Sequence, residues 1–322
     1  MSTVGSIAVT VARKQREAED ICTFELLGQD GRPLPPFSAG SHVDVNLPGG
    51  ITRQYSLCND PAESHRYLIG VLKDPASRGG SEAMHALVKE GDTLTISAPK
   101  NHFPLAHDAR RSLLLAGGIG VTPILCMAER LAVAGAEFEM HYCTRSPSRT
   151  AFGQRIQASS FAPHVRFHFD DGGAEQKLDL AALLGAPVEG THLYVCGPKG
   201  FMDAVLSTAR AKGWPEAQLH YEFFSAEVGP SEGDESFEVK LASSGRVVLV
   251  PKGKTVVQAL AEVGVERPTS CEQGVCGTCI TRVVEGVPDH KDMYFTPQEQ
   301  AANDQFTPCC SRAKSAMLVL DL

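Results

Sequence analysis

Cys271, Cys276 and Cys279 lie in one glycine-bearing loop, Cys271-Glu272-Gln273-Gly274-Val275-Cys276-Gly277-Thr278-Cys279, and two more cysteines follow thirty residues on, at Cys309 and Cys310. Four intervening residues, then two, then a distant partner is the ligand spacing of a plant-type [2Fe–2S] cluster. Three thiolates on so short a loop reach two irons only if the chain folds over the inorganic core. Gly274 and Gly277 let backbone N–H groups come up to the sulfurs with no Cβ in the way. Structural zinc usually pairs two C-x2-C knuckles or adds histidines, and here there is one knuckle. The chemistry implied is electron transfer. Cys309 and Cys310 are adjacent. Neighbours cannot both face one cluster without strain, so the spare thiol is expected to pack as a small apolar side chain.

Five further stretches carry chemistry. In Arg53-Gln54-Tyr55-Ser56-Leu57, strand alternation turns Arg53, Tyr55 and Leu57 one way and Gln54 and Ser56 the other. An arginine can pair a phosphate, an aromatic can cover a flat ring and a hydroxyl can bond a ring nitrogen. Alone, an alternating surface strand fits equally well. Arg78-Gly79-Gly80-Ser81 is a glycine turn into a helix start, either a phosphate cradle or an ordinary capped turn. The two together point to a flavin phosphate site. Gly117-Gly118-Ile119-Gly120-Val121-Thr122-Pro123 would let a pyrophosphate reach a helix N-terminus, although Pro123 stands where a third glycine belongs. The next strand ends in Thr144-Arg145 rather than an acid. A bare strand-to-helix turn looks the same. Cys196-Gly197-Pro198 ends a later strand, and Glu222-Phe223-Phe224 places an aromatic before the clearest linker. A buried cysteine and a core phenylalanine pair are the plainer readings of these two.

The elements that position these residues fall into three groups. Residues 7–103 hold six short candidate strands, Ile7–Val11, Ile21–Leu27, His42–Leu47, Arg53–Leu57, Tyr67–Lys73 and Asp92–Ser97, broken by Pro and Gly turns. So many short strands predict a closed antiparallel β-barrel. One helix, Glu82–Lys89, is expected with Ser81 as its cap. Residues 112–225 alternate strand (Leu113–Ala116), helix (Pro123–Ala134), strands (Phe138–Cys143, Val165–Phe169, His192–Cys196) and helix (Lys199–Lys212). That order predicts a doubly wound parallel α/β sheet. Ala226–Ser236 is small, acidic and turn-rich, a linker. Beyond it, Phe237–Leu241 and Val247–Val250 flank a Ser243–Arg246 hairpin turn, and Thr255–Val263 reads as a helix. The expected domains are 1–107, 108–227 and 237–322, with 228–236 as the linker.

The chain has 322 residues, 43% hydrophobic and 21% charged, an ordinary water-soluble composition. Its net charge of −8 argues against a nucleic-acid partner. Met1–Thr10 has no basic stretch before an apolar run, and no segment nears the ~18 apolar residues of a membrane span, so neither export nor a membrane is expected. Ten cysteines in a chain with a cluster loop read as free thiols in a reducing compartment, the cytoplasm.

In this order the pieces resemble the phthalate dioxygenase reductase family, which includes vanillate demethylase reductases. The likeness runs from Arg53–Asp60 through Arg78–Ser81, Ala116–Ile124, Cys196–Pro198 and Cys271–Cys279 to the tail at 289–296 and 309–322. The resemblance implies an FMN-binding barrel, an NADH-binding α/β domain and a β-grasp plant-type ferredoxin domain. It implies FMN contacts from Arg53, Gln54, Tyr55, Ser56, Gly70, Val71, Leu72, Arg78, Gly79, Gly80 and Ser81, with Thr122 and Phe224 from the next domain. Gly118, Gly120, Thr144, Arg145, Cys196, Gly197 and Pro198 would border NADH; Arg145 could instead meet a 2′-phosphate. In the family the last ligand lies thirteen residues before the C-terminal leucine, which selects Cys309. Flavin takes two electrons as hydride and passes them on singly, so it belongs between nicotinamide and cluster. Ser56 and Thr122 would hydrogen-bond beside the flavin, and Cys196 would pack by the nicotinamide without acting as a nucleophile. The expected partner is a terminal oxygenase, Rieske-type and acting on an aromatic acid, served by a monomer. A reductase for a cytochrome P450 or another acceptor, and a redox-sensing flavoprotein, are the alternatives.

Overall fold

The computed structural model describes residues 6–75, 77, 79–224 and 234–322. Arg78 and most of the expected linker lie outside them. The chain divides into two compact units, 1–222 and 223–322. No helix among the described residues is long and apolar enough to cross a membrane.

The first unit opens with β1 (Ser6–Ala18), β2 (Ile21–Gly28), β3 (Ser41–Leu47), β4 (Ile51–Ser56), β5 (Arg66–Leu72), α1 (Gly80–Ala86), β6 (Thr93–Ser97) and β7 (Lys100–Asn101). Alternating apolar residues fill one face: Val9, Val11, Phe24, Leu26, Val43, Val45, Ile69, Val71 and Ile96 share a core. The antiparallel order is β4-β3-β6-β1-β2-β5, with β7 on β3. The two outer strands meet at one bridge, Leu57 to Ile69, so the expected closed barrel is closed at a single point. The reason is local. Past Cys58 the chain leaves in a turn, and the Asn59 side chain replaces the ladder by accepting from Leu68 N at 2.9 Å and donating to Arg66 O at 3.2 Å. The helix also departs from expectation. It begins at Gly80 and ends at Ala86, its N-cap is Gly79 at φ 86°, and Ser81 is inside the first turn. Ser81 Oγ accepts from Asp74 N at 3.2 Å, so it ties down the preceding loop rather than capping. Lys14 on β1 completes the far end, donating to the Met84, His85 and Val88 carbonyls.

A parallel sheet follows: β8 (Arg111–Gly117), α2 (Val121–Val133), β9 (Glu137–Thr144), α3 (Gly153–Gln157), β10 (Val165–Phe169), α4 (Leu180–Leu183), β11 (Thr191–Cys196), α5 (Lys199–Ala211) and β12 (Leu219–Glu222). Its order, β10-β9-β8-β11-β12, runs outward both ways from β8. The switch in direction falls between β8 and β11, where such sheets bind ligands at their carboxyl ends. The apolar side of α2 packs in one cluster with Ile21 of the first sheet and with Ala39, Cys58 and Phe103 from its connecting segments.

The second unit holds β13 (Phe237–Leu241), β14 (Val247–Val250), α6 (Val256–Glu262), β15 (Thr281–Glu285), β16 (Pro288–Asp289), α7 (Pro297–Ala302), β17 (Gln305–Phe306), β18 (Arg312–Ala313) and β19 (Met317–Leu320). The main sheet has order β14-β13-β19-β15-β17 and pairs β13 with β19 in parallel. Thr255 caps α6 reciprocally with Gln258, and Val256, Ala259 and Leu260 bury against the sheet.

Candidate functional site

The cysteines come together through strand register. β15 and β17 pair antiparallel with Thr281 opposite Phe306. Reading back from Thr281 and forward from Phe306 brings Cys279 and Cys309 to the same place. Their thiols hydrogen-bond each other, as do those of Cys271 and Cys276. In each pair one thiol donates, holding its partner's pKa below the ordinary range: Cys271 does so for Cys276, and Cys309 for Cys279. Among the described residues no three His, Cys, Asp or Glu side chains surround a single point, and these four thiols meet two and two. Two irons, each taking two protein sulfurs and sharing two sulfides, need such a donor set.

The loop is wound to suit. Glu272, Gly274 and Gly277 all have positive φ, at 53°, 69° and 72°. A Cβ on Gly274 would stand 2.4 Å from Cys310 Sγ, and one on Gly277 would stand 2.5 Å from the Tyr294 ring. Gln273 N already donates to Cys271 Sγ at 3.3 Å. All four thiols are buried. Cys310 is buried too, but its environment is not purely apolar: its sulfur lies 3.2 Å from Thr307 Oγ1 and hydrogen-bonds the Cys309 thiol.

In the first unit, Arg53 lies across the start of α1. A Cβ on Gly80 would be 2.5 Å from Arg53 Cγ and 2.7 Å from its Nε, so only glycine leaves the arginine room. Gly79 abuts Ile51, and Gly70 on β5 faces the Thr122 methyl and the Phe152 ring. Strand β4 thus lays Arg53 over the glycine start of α1, where a guanidinium and a helix N-terminus could meet a phosphate. Gln54 reaches the other way, donating to Asp44 Oδ1 at 2.9 Å. Burial pushes the Tyr55 phenol well up. Val71 gives its carbonyl to His85, 2.9 Å away, which fixes α1 against β5 next to Leu72. Thr122 donates its hydroxyl to Ile119 O at 3.1 Å.

At the carboxyl edge of the parallel sheet, register aligns Ala116 with Cys196 and Cys196 with Glu222. Gly120 touches the Cys196 carbonyl, and Gly117 packs against Pro198, Gly197 and Phe201. These glycines let two turns close on one another. Gly118, at φ 52°, is the one with open space beside it. Thr144 and Arg145 end β9 at the same edge; Thr144 Oγ1 is 2.8 Å from Thr150 Oγ1, and Arg145 is exposed.

Glu222 is the residue that the sequence reading passed over. Its carboxyl bonds the Ser56 hydroxyl, while its buried Oε2 has no partner among the described residues. Burial pushes its pKa up to about 8 against the pull of Ser56. Burial, and then Glu222 itself, hold the Cys196 thiol far above its ordinary range, so Cys196 stays protonated and inert. Ser56, Cys196 and Glu222, from three strands, thus form one cluster with an unsatisfied polar atom. The signal was an acid at a strand end before two phenylalanines. Phe224 is the second residue of the second unit and is 37% exposed.

Comparison with known proteins agrees with this division. Residues 239–314 match the 2Fe-2S iron-sulfur cluster binding domain, and 97–219 match the N-terminal domain of dimethylamine monooxygenase subunit DmmA-like proteins. The chain is 57% identical over 316 residues to the vanillate O-demethylase oxidoreductase of Pseudomonas sp. (strain HR199 / DSM 7063), covering 98% of this chain and 100% of that one. It is 39% identical to the phthalate dioxygenase reductase of Burkholderia cepacia, covering 99% and 98%. A solved phthalate dioxygenase reductase, described as a modular structure for electron transfer from pyridine nucleotides to [2Fe-2S], superposes with TM-score 0.81 at 38% identity over 99% of this chain and 98% of that one. An intact type IV self-sufficient cytochrome P450 monooxygenase gives TM-score 0.81 at 39% identity, covering 98% of this chain and 41% of that chain. With two carriers' worth of site geometry in one chain and full-length likeness at this level, the chain belongs to the phthalate dioxygenase reductase and vanillate O-demethylase oxidoreductase family, and is an oxidoreductase.

Proposed function

We propose that this chain is the NADH-dependent reductase component of a Rieske-type aromatic oxygenase, a demethylase or dioxygenase, acting as a cytoplasmic monomer. Residues 1–107 would bind FMN, 108–227 NADH, and 237–322 the cluster. The observation that carries the reading is the two pairs of buried thiols, Cys271 with Cys276 and Cys279 with Cys309, on a chain that also lays Arg53 over the glycine start of α1.

When bound, FMN accepts two electrons together from nicotinamide and releases them one at a time. The chain's residues bind and orient. Arg53, held over Gly80, would meet the flavin phosphate, and Gly79 and Ser81 would shape the turn around it. Gly70 and Thr122, packed against each other, would border the ring from one side. Burial, against the pull of Ser56, keeps a proton on the Glu222 carboxyl at neutral pH, beside a neutral Cys196. That leaves the nicotinamide site free of a buried negative charge, where hydride must pass. Gly118 gives room for a pyrophosphate at the start of α2, and Thr144 and Arg145 border the adenosine end.

The test is NADH-driven reduction of cytochrome c by wild type and by Cys276→Ser. We expect the variant to keep its flavin and lose this activity. Undiminished reduction by a cluster-free variant would take the cluster off the route. A P450 as acceptor is the second reading, favoured by the likeness to the self-sufficient P450. Reconstitution of aromatic-acid turnover with a Rieske oxygenase, and not with a P450, separates the two.

A further inference from the structure

We propose that Cys310 is a standby ligand of the iron–sulfur cluster, able to replace Cys309 on the same iron. The inference rests on the cluster reading above.

On a strand, adjacent side chains point to opposite faces. Cys309 and Cys310 are not on a strand. They sit in a turn after β17, where Cys310 N and Ser311 N both donate to Thr307 O, at 3.2 and 2.9 Å. In such a turn successive side chains splay by about a quarter circle rather than a half, as in a helix, and two neighbours can share a side. They do so here. Cys279, Cys309 and Cys310 form one buried group with Val257 against it. At its other side Cys310 Sγ rests on Gly274, midway along the loop between Cys271 and Cys276. It therefore lies against both the Cys279 and Cys309 pair and the loop that carries Cys271 and Cys276.

What holds Cys310 in place is weak and exchangeable. Thr307 Oγ1 lies at 3.2 Å, and Thr307 O and Ser311 Oγ at 3.8 Å. The Thr307 hydroxyl can donate to a thiolate as readily as it accepts from a thiol. The turn itself is fixed independently, by Ser311 Oγ donating to the buried Asp292 Oδ1 and accepting from Lys291 N. A rotation of one side chain brings the sulfur to the iron without moving that frame. The exchange breaks the iron bond to Cys309 sulfur, forms one to Cys310 sulfur and hands the Cys310 thiol proton to the freed Cys309 sulfur beside it. No electron is gained or lost.

The test uses the full chain as Cys309→Ala, Cys310→Ala and the double variant, with iron and sulfide per chain, the visible spectrum and the EPR spectrum of the reduced protein as readouts. We expect about two irons per chain in Cys309→Ala with shifted EPR g-values, an unchanged spectrum in Cys310→Ala, and no cluster in the double variant. An empty Cys309→Ala beside a loaded wild type overturns the proposal alone. So does equal loading of Cys309→Ala and the double variant. A wild type without iron and sulfide overturns the cluster reading and this proposal together. Should Cys309→Ala fail to fold, Cys309→Ser decides: a thiolate-type spectrum that disappears when Cys310→Ala is added supports the exchange, and identical spectra with and without Cys310 refute it.

Discussion

Glu222→Gln isolates the buried carboxyl at the sheet edge. Glutamine keeps the shape and can still meet the Ser56 hydroxyl, but it cannot ionise. Burial raises the Glu222 pKa from 4.5 to about 8, so the folded protein binds a proton that the unfolded chain has already released. Stability contributed by the protonated form is complete below pH 4.5 and is lost as pH rises through about 8. At about 1.4 kcal/mol per pH unit, that interval makes full ionisation cost on the order of 5 kcal/mol. For a unit of this size each kcal/mol moves Tm by roughly 2–4 °C, so an upper figure is roughly 10–20 °C. Water entering beside Oε2 would reduce it. The measurement is thermal unfolding of wild type and variant from pH 5 to pH 9. The two should melt together near pH 5, and the variant should gain steadily to a margin of several degrees at pH 9. A margin that does not change with pH would mean that Glu222 is not carrying its proton, and the argument for a charge-free nicotinamide site would fall with it.

Two further substitutions probe the Arg53 site and the second unit. Gly80→Ala puts a methyl 2.5 Å from Arg53 Cγ, so the arginine must swing off the start of α1; released FMN per chain should fall several-fold in a protein that still folds, and full occupancy would refute the phosphate role of Arg53. Arg312→Met strips hydrogen bonds from the Lys254, Glu235 and Pro251 carbonyls and leaves the buried Asp234 with less compensation. We expect a loss of about 2–4 kcal/mol, read as a lower urea midpoint for the second unit with an unchanged slope; a shift below about 0.5 kcal/mol, the range of ordinary surface changes, would count against it.

Where period and punctuation agree, the fold was legible. Phe237–Leu241, Val247–Val250 and Val165–Phe169 occur at the boundaries read from the sequence, because each is a short apolar or alternating run between turn residues. The misses share a cause. β15 to β19 are two to five residues long, too short to display a period, and they exist through pairing with distant strands. α7 has a readable capping box in Thr296 and Glu299, but its exposed face carries no apolar stripe. The Gly79-Gly80-Ser81 turn was recognised and its cap misassigned, because sequence cannot tell a left-handed glycine N-cap from a serine cap one residue later. The barrel's incomplete closure depends on Asn59 bonding Leu68 and Arg66, a contact made by no local pattern.

The site was legible wherever chemistry is local, and illegible wherever it is assembled across strands. Three of the four cluster thiols announce themselves by spacing, since one loop must wrap one object. Ser56, Cys196 and Glu222 stand in three segments separated by more than a hundred and by twenty-six residues, and only the row Ala116, Cys196, Glu222 on neighbouring parallel strands brings the last two together. A slip of one residue in β12 would turn Glu222 to the other face. The register, not the motif, therefore decides the charge of the pocket. Tyr221 lies beside Val195 in the same ladder, and the acid must fall opposite Cys196 for its carboxyl to reach Ser56. It follows that substitutions displacing β12, however far from any ligand, should alter the electrostatics beside Ser56 before they alter the cluster, which hangs on the independent pairing of Thr281 with Phe306.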